Sequence, residues 1–354
     1  MNRLKTRFIF PDHLAPSELD QYLAKGWYRM GTAVFTTHFL TIEESVYSVL
    51  WLRLSLEDFT FSKRQRRLMR SNSRFKVVIS PFALDTAKEQ LYQRYRRQFR
   101  GLISPNLRKA LYDLGSEAVF LSMECSLYDG DRLVAFSVFD LGSQAATSII
   151  GVYDPEYSEH SLGYFTMLLE MEYALALGLE YYYPGYFVPG YSRFDYKLRI
   201  GEVEYFEPLE AKWLPIGQYE AGNLPIVIMR NQLSAVKSSL SHLYSWSMVY
   251  DYPFHEINPD WLGLERNLQL LNYPIFLSCE SKAGKPGRQL IIVYDVEHRH
   301  FVLLSGVTIM ERAYQGDHTW NNNSYPGVIE VREQLLETVE TEDLIEAIDA
   351  LIGG

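Results

Sequence analysis

Cysteine is scarce in this 354-residue chain, with only Cys125 and Cys279 present. Two thiols exclude a disulfide framework and any cysteine-rich zinc or iron–sulfur site within one chain, and the usage fits a reducing cytoplasm. No apolar run reaches the about 18 residues of a membrane span. Met1 to Leu14 carries three basic residues with no apolar stretch behind them, so neither export nor membrane insertion is expected. The eight histidines show no H-E-x-x-H spacing. Glu297-His298-Arg299-His300 reads as a hairpin turn without a third ligand, and no metal is predicted. Repeats and low-complexity tracts are also missing.

Aromatic and apolar bulk is plentiful. Hydrophobic residues make up 47% and charged residues 22%, with 26 Tyr and 19 Phe, the composition of a globular protein with a sizeable core. The length suggests about two domains on the usual prior. Composition along the chain divides it into an N-terminal α/β unit (1–112), a central core (113–215) and a C-terminal extension (216–354).

The net charge of −10 is unevenly distributed. Residues 63–109 hold fourteen Lys or Arg against two acids, a local charge of +12 that leaves −22 for the remainder. Such asymmetry fits a phosphate-backbone partner, RNA or another polyphosphate, or alternatively a set of salt bridges to the acidic remainder. Spacing favours the first. The sequence predicts a helix over 86–101, with Leu91, Tyr95 and Phe99 as its apolar stripe and Arg94, Arg96, Arg97 and Arg100 on the flanks and opposite side. Arginine outnumbers lysine nine to two between residues 64 and 100, and a planar guanidinium binds phosphate through two parallel hydrogen bonds.

Residues 17–29 read as a short helix with Ser17 as N-cap and Gly26 as its stop, followed by strand-like VFTTHFL and VYSVLWLRL. Three strands follow, over 118–127, 133–141 and 145–153, the first two joined at Tyr128-Asp129-Gly130-Asp131. A buried helix over 161–177 ending at Gly178 leads into a strand over 179–183. After about Pro215 the chain reads as loop-rich to Asn272, with strands at 289–294 and 301–306 and an acidic helical tail over 328–352. Residues 281–288 and the Trp320-Asn321-Asn322-Asn323 stretch look like surface turns. The fold class is α+β.

Meander, helix and strand in that order resemble the core of the GNAT-type acyltransferase fold, a likeness that implies no chemistry by itself. Coenzyme A-dependent members of that fold cradle a diphosphate on a glycine-rich loop entering the helix. Here that loop is Glu156-Tyr157-Ser158-Glu159-His160-Ser161-Leu162-Gly163, with one glycine and two glutamates, and coenzyme A is disfavoured as donor.

Two stretches carry a closer resemblance. The first is Phe61-Ser62-Lys63-Arg64-Gln65-Arg66-Arg67 with Arg70, Asn72, Leu91, Tyr92 and Tyr95. The second joins Tyr153-Asp154-Pro155, Ser161-Leu162-Gly163, the run from Tyr181 to Gly190, and Tyr196-Lys197. Together they resemble the arginyl-tRNA protein transferase family, which includes bacterial leucyl-transferring members, over roughly residues 20–213. The family's N-terminal cysteine cluster has no counterpart in residues 1–60.

The resemblance implies a GNAT-like domain that uses aminoacyl-tRNA as co-substrate and transfers Arg or Leu to the N-terminal amine of acceptor polypeptides, with acidic N-termini favoured. No resident cofactor is implied, no membrane partner is expected, and the expected location is the cytoplasm. Candidate catalytic residues are Tyr153, Asp154, Ser161, Tyr186 and Lys197. Gln65, Arg66, Arg67, Arg70, Arg94 and Arg97 would meet tRNA phosphate, and Arg193, Tyr196 and Arg199 the acceptor.

Each candidate has a plainer role beside the chemical one. Asp154 would accept a proton or orient the amine, or serve as a turn residue before Pro155. Ser161 would donate to the ester oxygen or cap the following helix. Tyr153 could be no more than a strand-end aromatic. Tyr186 would stack on the terminal adenosine or belong to the core. Lys197 would clamp an acidic side chain or sit on the surface. A small-donor N-acyltransferase and a non-catalytic RNA- or protein-binding homologue remain as rival readings.

Overall fold

The computed structural model describes residues 4, 6–99, 103–113, 119–240, 248–257, 268–279, 289–311 and 323–353. Along the chain run β1 (Arg7–Ile9), α1 (Pro16–Leu23), β2 (Tyr28–Met30), β3 (Ala33–Thr36), β4 (Phe39–Ile42), β5 (Ser45–Ser48), β6 (Leu50–Ser55), α2 (Lys63–Ser71), β7 (Lys76–Pro81), α3 (Thr86–Gln98) and α4 (Leu107–Tyr112). Next come β8 (Ser122–Asp129), β9 (Arg132–Leu141), β10 (Ala145–Tyr153), α5 (Leu162–Ala176), β11 (Tyr181–Phe187), β12 (Val203–Glu207) and β13 (Lys212–Pro215). The last third holds α6 (Pro225–Leu240), β14 (Met248–Asp251), β15 (Ile275–Cys279), β16 (Gln289–Asp295), β17 (His300–Glu311), β18 (Gly327–Thr338) and α7 (Thr341–Gly353). No helix of the described residues is long and apolar enough to cross a membrane.

Two compact units emerge, and their membership differs from the three segments read in the sequence. One comprises residues 7–37 and 49–219, the other residues 1–6, 38–48 and 220–354. Residues 1–112 therefore do not form a separate unit: β6 and β7 are strands of the same sheet as β8 to β11.

In the first unit an eight-stranded sheet has the order β13-β12-β6-β11-β10-β9-β8-β7, beside a small sheet β1-β3-β2. The β8–β9 turn forms at the expected Asp129-Gly130-Asp131, where Gly130 has φ +60°. Side chains alternate along β9. Phe136 and Val138 pack with Leu91 and Tyr92 of α3 and Leu107 and Leu111 of α4, whereas Phe139 meets Tyr173 of α5 edge-on. The two helical layers thus cover opposite faces. On α3 the buried positions are Lys88, Leu91 and Tyr92, while Tyr95 and, just after the helix, Phe99 are only half-buried. Helix α1 starts at Pro16 with Ala15 as N-cap, placing Ser17 inside the helix.

The parallel neighbours β10 and β11 pair only from Ala145 opposite Tyr181 to Thr147 opposite Tyr183. Beyond that, β10 follows β9 to Tyr153, and β11 follows β6 from Gly185 to Phe187. Both ladders are irregular at the parting, between Ser148 and Ile150 and between Tyr182 and Gly185. Pro184, which has no N–H to donate, sits in the second irregularity.

The second unit holds a five-stranded antiparallel sheet in sequence order, β14-β15-β16-β17-β18. Tyr252, Phe276, Ile291, Val293, Val302, Leu304 and Ile329 form its core, and α6 buries Met229, Leu233 and Val236. Two expectations are corrected here. The stretch read as loop contains α6 and β14, and the first half of the tail read as helix is β18, paired along β17. Residues 281–288 and 320–322 lie outside the described residues.

Candidate active site

The site is built where β10 and β11 part. Opposite the short parallel pairing, β11 turns at Gly185, whose φ of +88° suits glycine. A Cβ there would stand 3.0 Å from the Lys197 Nζ. Lys197 lies on a 3-10 segment, Ser192–Arg199, and its Nζ donates to the Tyr186 carbonyl at 3.0 Å. That carbonyl belongs to the stretch of β11 which β10 has left.

The lysine is 9% exposed, with its Nζ over the rings of Tyr186 and Phe194 at 4.9 and 5.4 Å. No carboxylate pairs with it among the described residues. Burial pushes its amine down to about 7.

Aromatic rings continue from there. Tyr186 packs against Trp51 and Phe194, and burial raises its phenol. The Arg193 guanidinium carbon stands over Phe99, 3.7 Å from the ring centroid. Phe99 neighbours Tyr95, which in turn meets Tyr153 at the end of β10. Burial also raises the Tyr196 phenol to about 12, with Tyr95, Glu170 and Tyr186 adding to the effect and Arg193 opposing it. Tyr153, Tyr186, Arg193, Tyr196 and Lys197 are therefore gathered into one aromatic and cationic cluster.

Four candidates have other employment. Gln65 is buried and completes a capping box with Ser62, accepting from the Ser62 N–H at 2.7 Å, while its amide donates to the Ile200 carbonyl at 2.9 Å. It cannot meet phosphate, and the Ser-x-x-Gln spacing at 62–65 is the signal for that role.

Arg94 bonds Asp154 at 3.2 Å rather than standing open. Asp154 is 1% exposed and also accepts from Arg132 at 2.8 Å and from the Glu156 N–H at 3.2 Å. Burial raises its carboxyl, but the Arg132 bond, the Glu156 N–H and the Arg94 charge together hold it below the usual range. A carboxylate so tied is a poor proton acceptor. Ser161 is exposed at φ +51° and makes no side-chain cap bond, although its position at the start of α5 is as expected.

Arg66, Arg67 and Arg70 on α2 and Arg97 on α3 are exposed and carry no acidic partner among the described residues. Arg199 is likewise exposed, and its carbonyl receives the Tyr164 hydroxyl at 2.9 Å. Within the basic stretch, by contrast, Arg74 pairs with Asp129, and the buried Lys88 pairs with Asp85 and Glu124.

Sequence reasoning missed Glu170. It is fully buried on α5 and accepts from the Tyr182 hydroxyl at 2.6 Å. Burial raises its carboxyl to about 7, against the opposing pull of the Ser137, Tyr182 and Ser148 hydroxyls. An acid on the apolar face of an otherwise hydrophobic helix was the available signal. Phe99 and Arg132 were also missed as partners of site residues.

Residues 87–207, from α3 to β12, match the family described as arginine-tRNA-protein transferase, C terminus. The aspartate/glutamate leucyltransferase of Leptospira interrogans (serovar Lai) is 27% identical over 220 residues, which is 60% of this chain and 84% of that protein. The aspartate/glutamate leucyltransferase of Helicobacter hepaticus is 26% identical over 203 residues, 56% of this chain and 83% of its own. Among solved structures, L-PGS from Bacillus licheniformis aligns over 48% of this chain and 49% of its own at 11% identity and a TM-score of 0.31.

Proposed function

We propose that this chain, whose residues 87–207 match the arginine-tRNA-protein transferase C-terminal family and which resembles aspartate/glutamate leucyltransferases, moves leucine or arginine from charged tRNA to the N-terminal amine of polypeptides beginning with Asp or Glu. The observation that carries the reading is Lys197, buried with no acidic partner among the described residues, in the aromatic cluster at the parting of β10 and β11, on a chain that also presents exposed arginines on α2 and α3. A small acyl donor would not need those arginines, and the 3-10 turn Pro155–His160 entering α5 offers glutamates where a diphosphate would lie.

The reaction is attack by an amine on an activated ester, so positioning carries much of the catalysis. Arg66, Arg67, Arg70 and Arg97 hold the phosphates of the acceptor stem. Tyr186, with Tyr153 and Tyr95, gives the terminal adenosine a stacking surface. Arg193, whose guanidinium stands over Phe99, meets the carboxylate of an N-terminal Asp or Glu, with Tyr196 and Arg199 beside it. Leucine is the favoured donor. The relatives that the chain resembles are named as leucyltransferases, which supports that donor. The GNAT-like assignment of the core rests on the same meander, helix and parted parallel pair.

The deciding experiment incubates the protein with tRNA charged with radiolabelled leucine or arginine and peptides beginning with Asp, Glu or Ala. Label in the Asp and Glu peptides, leucine exceeding arginine, is the expected result. Salt-sensitive tRNA binding with the ester left intact would reduce the protein to a binding module.

A further inference from the structure

We propose that Lys197 is the proton acceptor for the N-terminal ammonium of the acceptor polypeptide, a role that rests on the transferase reading above. An ammonium buried without a counter-ion is costly, and such a group neutralises instead. Lys197 meets that condition among the described residues: its Nζ has the Tyr186 carbonyl at 3.0 Å and two ring faces around it. A clamp for an acidic side chain needs the opposite, a charged and accessible group, and Arg199 on the same segment is exposed.

Other titratable groups share this region, among them the half-buried Asp195 on the same segment, but none pairs with the Lys197 Nζ among the described residues. On β11 the neighbour is Tyr186, and Tyr95 of α3 lies farther along the aromatic cluster, both phenols that burial makes harder to ionise. Tyr196 on its own segment behaves alike. From α5, Glu170 is fully buried and accepts from Tyr182 through Oε2, and no contact joins it to Lys197 among the described residues; Asp154 is held by two arginines. The amine's own acidity, brought to about 7 by burial, matches the about 8 of a free α-ammonium closely enough for proton exchange near neutrality.

The steps balance as follows. The acceptor ammonium gives one proton to the Lys197 amine, and the freed amine attacks the ester carbonyl carbon. The new C–N bond forms and the C–O bond to the tRNA terminal ribose breaks. The surplus proton on the new amide nitrogen passes to the departing ribose oxygen, and Lys197 returns its own proton to solvent. Each turnover yields one amide, one tRNA with a free terminal hydroxyl and one proton.

The test uses the full chain as wild type, Lys197→Met and Lys197→Arg. Side-chain NMR follows the Nζ titration without tRNA, and single-turnover transfer of leucine to an Asp-peptide is measured from pH 5.5 to 9.5. The expected result is an Nζ midpoint near 7, and a rate at pH 7 that falls at least about 100-fold in both variants with the acceptor KM little changed. Arginine keeps a cation but cannot take a proton, so rescue by Lys197→Arg would assign the clamp role and overturn the proposal. An Nζ midpoint near 10 would overturn it too, a result that holds even if a variant fails to fold. Wild type that transfers while the variants match it sinks this proposal alone, whereas wild type that transfers nothing sinks the transferase reading with it.

Discussion

The two large sheets of this protein treat their strands differently. The five-stranded sheet runs in sequence order with every neighbour antiparallel, whereas the eight-stranded sheet contains one parallel pair that parts after three residue pairs. A continuous ladder consumes its backbone groups. A parted one leaves carbonyls such as that of Tyr186 for side chains or substrates, and there the unusual groups collect: Lys197 with no acidic partner among the described residues, Gly185 at positive φ, Glu170 buried on Tyr182. Chemistry is expected on one sheet, while the other is built for packing.

The largest expected effect breaks the eight-stranded sheet itself. Arg29 and Asp140 form a buried pair at 2.8 Å, and Arg29 also donates to the Leu111 carbonyl at 2.7 Å. Arg29→Met leaves Asp140 charged and buried, at a cost of about 3–5 kcal/mol in denaturant unfolding. A loss under about 1 kcal/mol would mean that the pair is not what anchors the small β2 strand to β9.

Two substitutions of smaller and similar cost sharpen the contrast between the sheets. Gly185→Ala forces a side chain into positive φ with its Cβ at 3.0 Å from the Lys197 Nζ, costing about 1–2 kcal/mol and removing most transfer. Tyr252→Phe deletes the hydroxyl that accepts from the Ile329 N–H at 2.9 Å, costing about 1–3 kcal/mol in the five-stranded sheet with transfer unchanged. Equal loss of transfer in both would erase the division of labour.

Charge reversal on α2 has a subtler readout. Each of Arg66, Arg67 and Arg70 in phosphate contact makes the salt dependence of tRNA binding steeper by roughly one unit of slope. Arg66→Glu, Arg67→Glu and Arg70→Glu, added stepwise, are expected to flatten it stepwise. A slope that stays constant would take α2 out of the tRNA interface.

Much of the first sheet was legible because its residues obey local rules. Gly130 and Gly178 mark a turn and a helix end, and the alternation along β9 marks its two faces. Gln65 was misassigned because a basic run drew attention from the capping spacing inside it. The β18 strand was misread because its exposed glutamates resemble a helix surface, and only pairing along β17 settles the matter. Lys197 and Tyr186 were legible as candidates, but not the burial of the amine. That depends on Gly185, Tyr186 and Phe194 meeting in space, which no spacing in the sequence records.

Asp154 provides the smallest effect and the clearest opposite to Lys197. Asp154 directly follows β10 and Lys197 lies on the 3-10 segment after β11; both are buried charge-bearing groups, yet Asp154 has Arg94 and Arg132 while Lys197 has no acidic partner among the described residues. The arginines hold the Asp154 carboxyl below its unfolded value, so its contribution is complete at neutral pH and is lost as pH falls below about 4 and through the folded value. Because both guanidinium groups are 40% or more exposed, solvent limits the pair to about 1 kcal/mol. Asp154→Asn is therefore expected to lower stability by that amount above pH 5, with the difference from wild type shrinking toward pH 2 in acid titrations of unfolding. Transfer at pH 7 should fall less than about tenfold, with the pH profile unmoved. A profile shifted by Asp154→Asn but not by Lys197→Met would reverse the two roles, making the paired carboxylate the proton acceptor and the buried amine a packing residue.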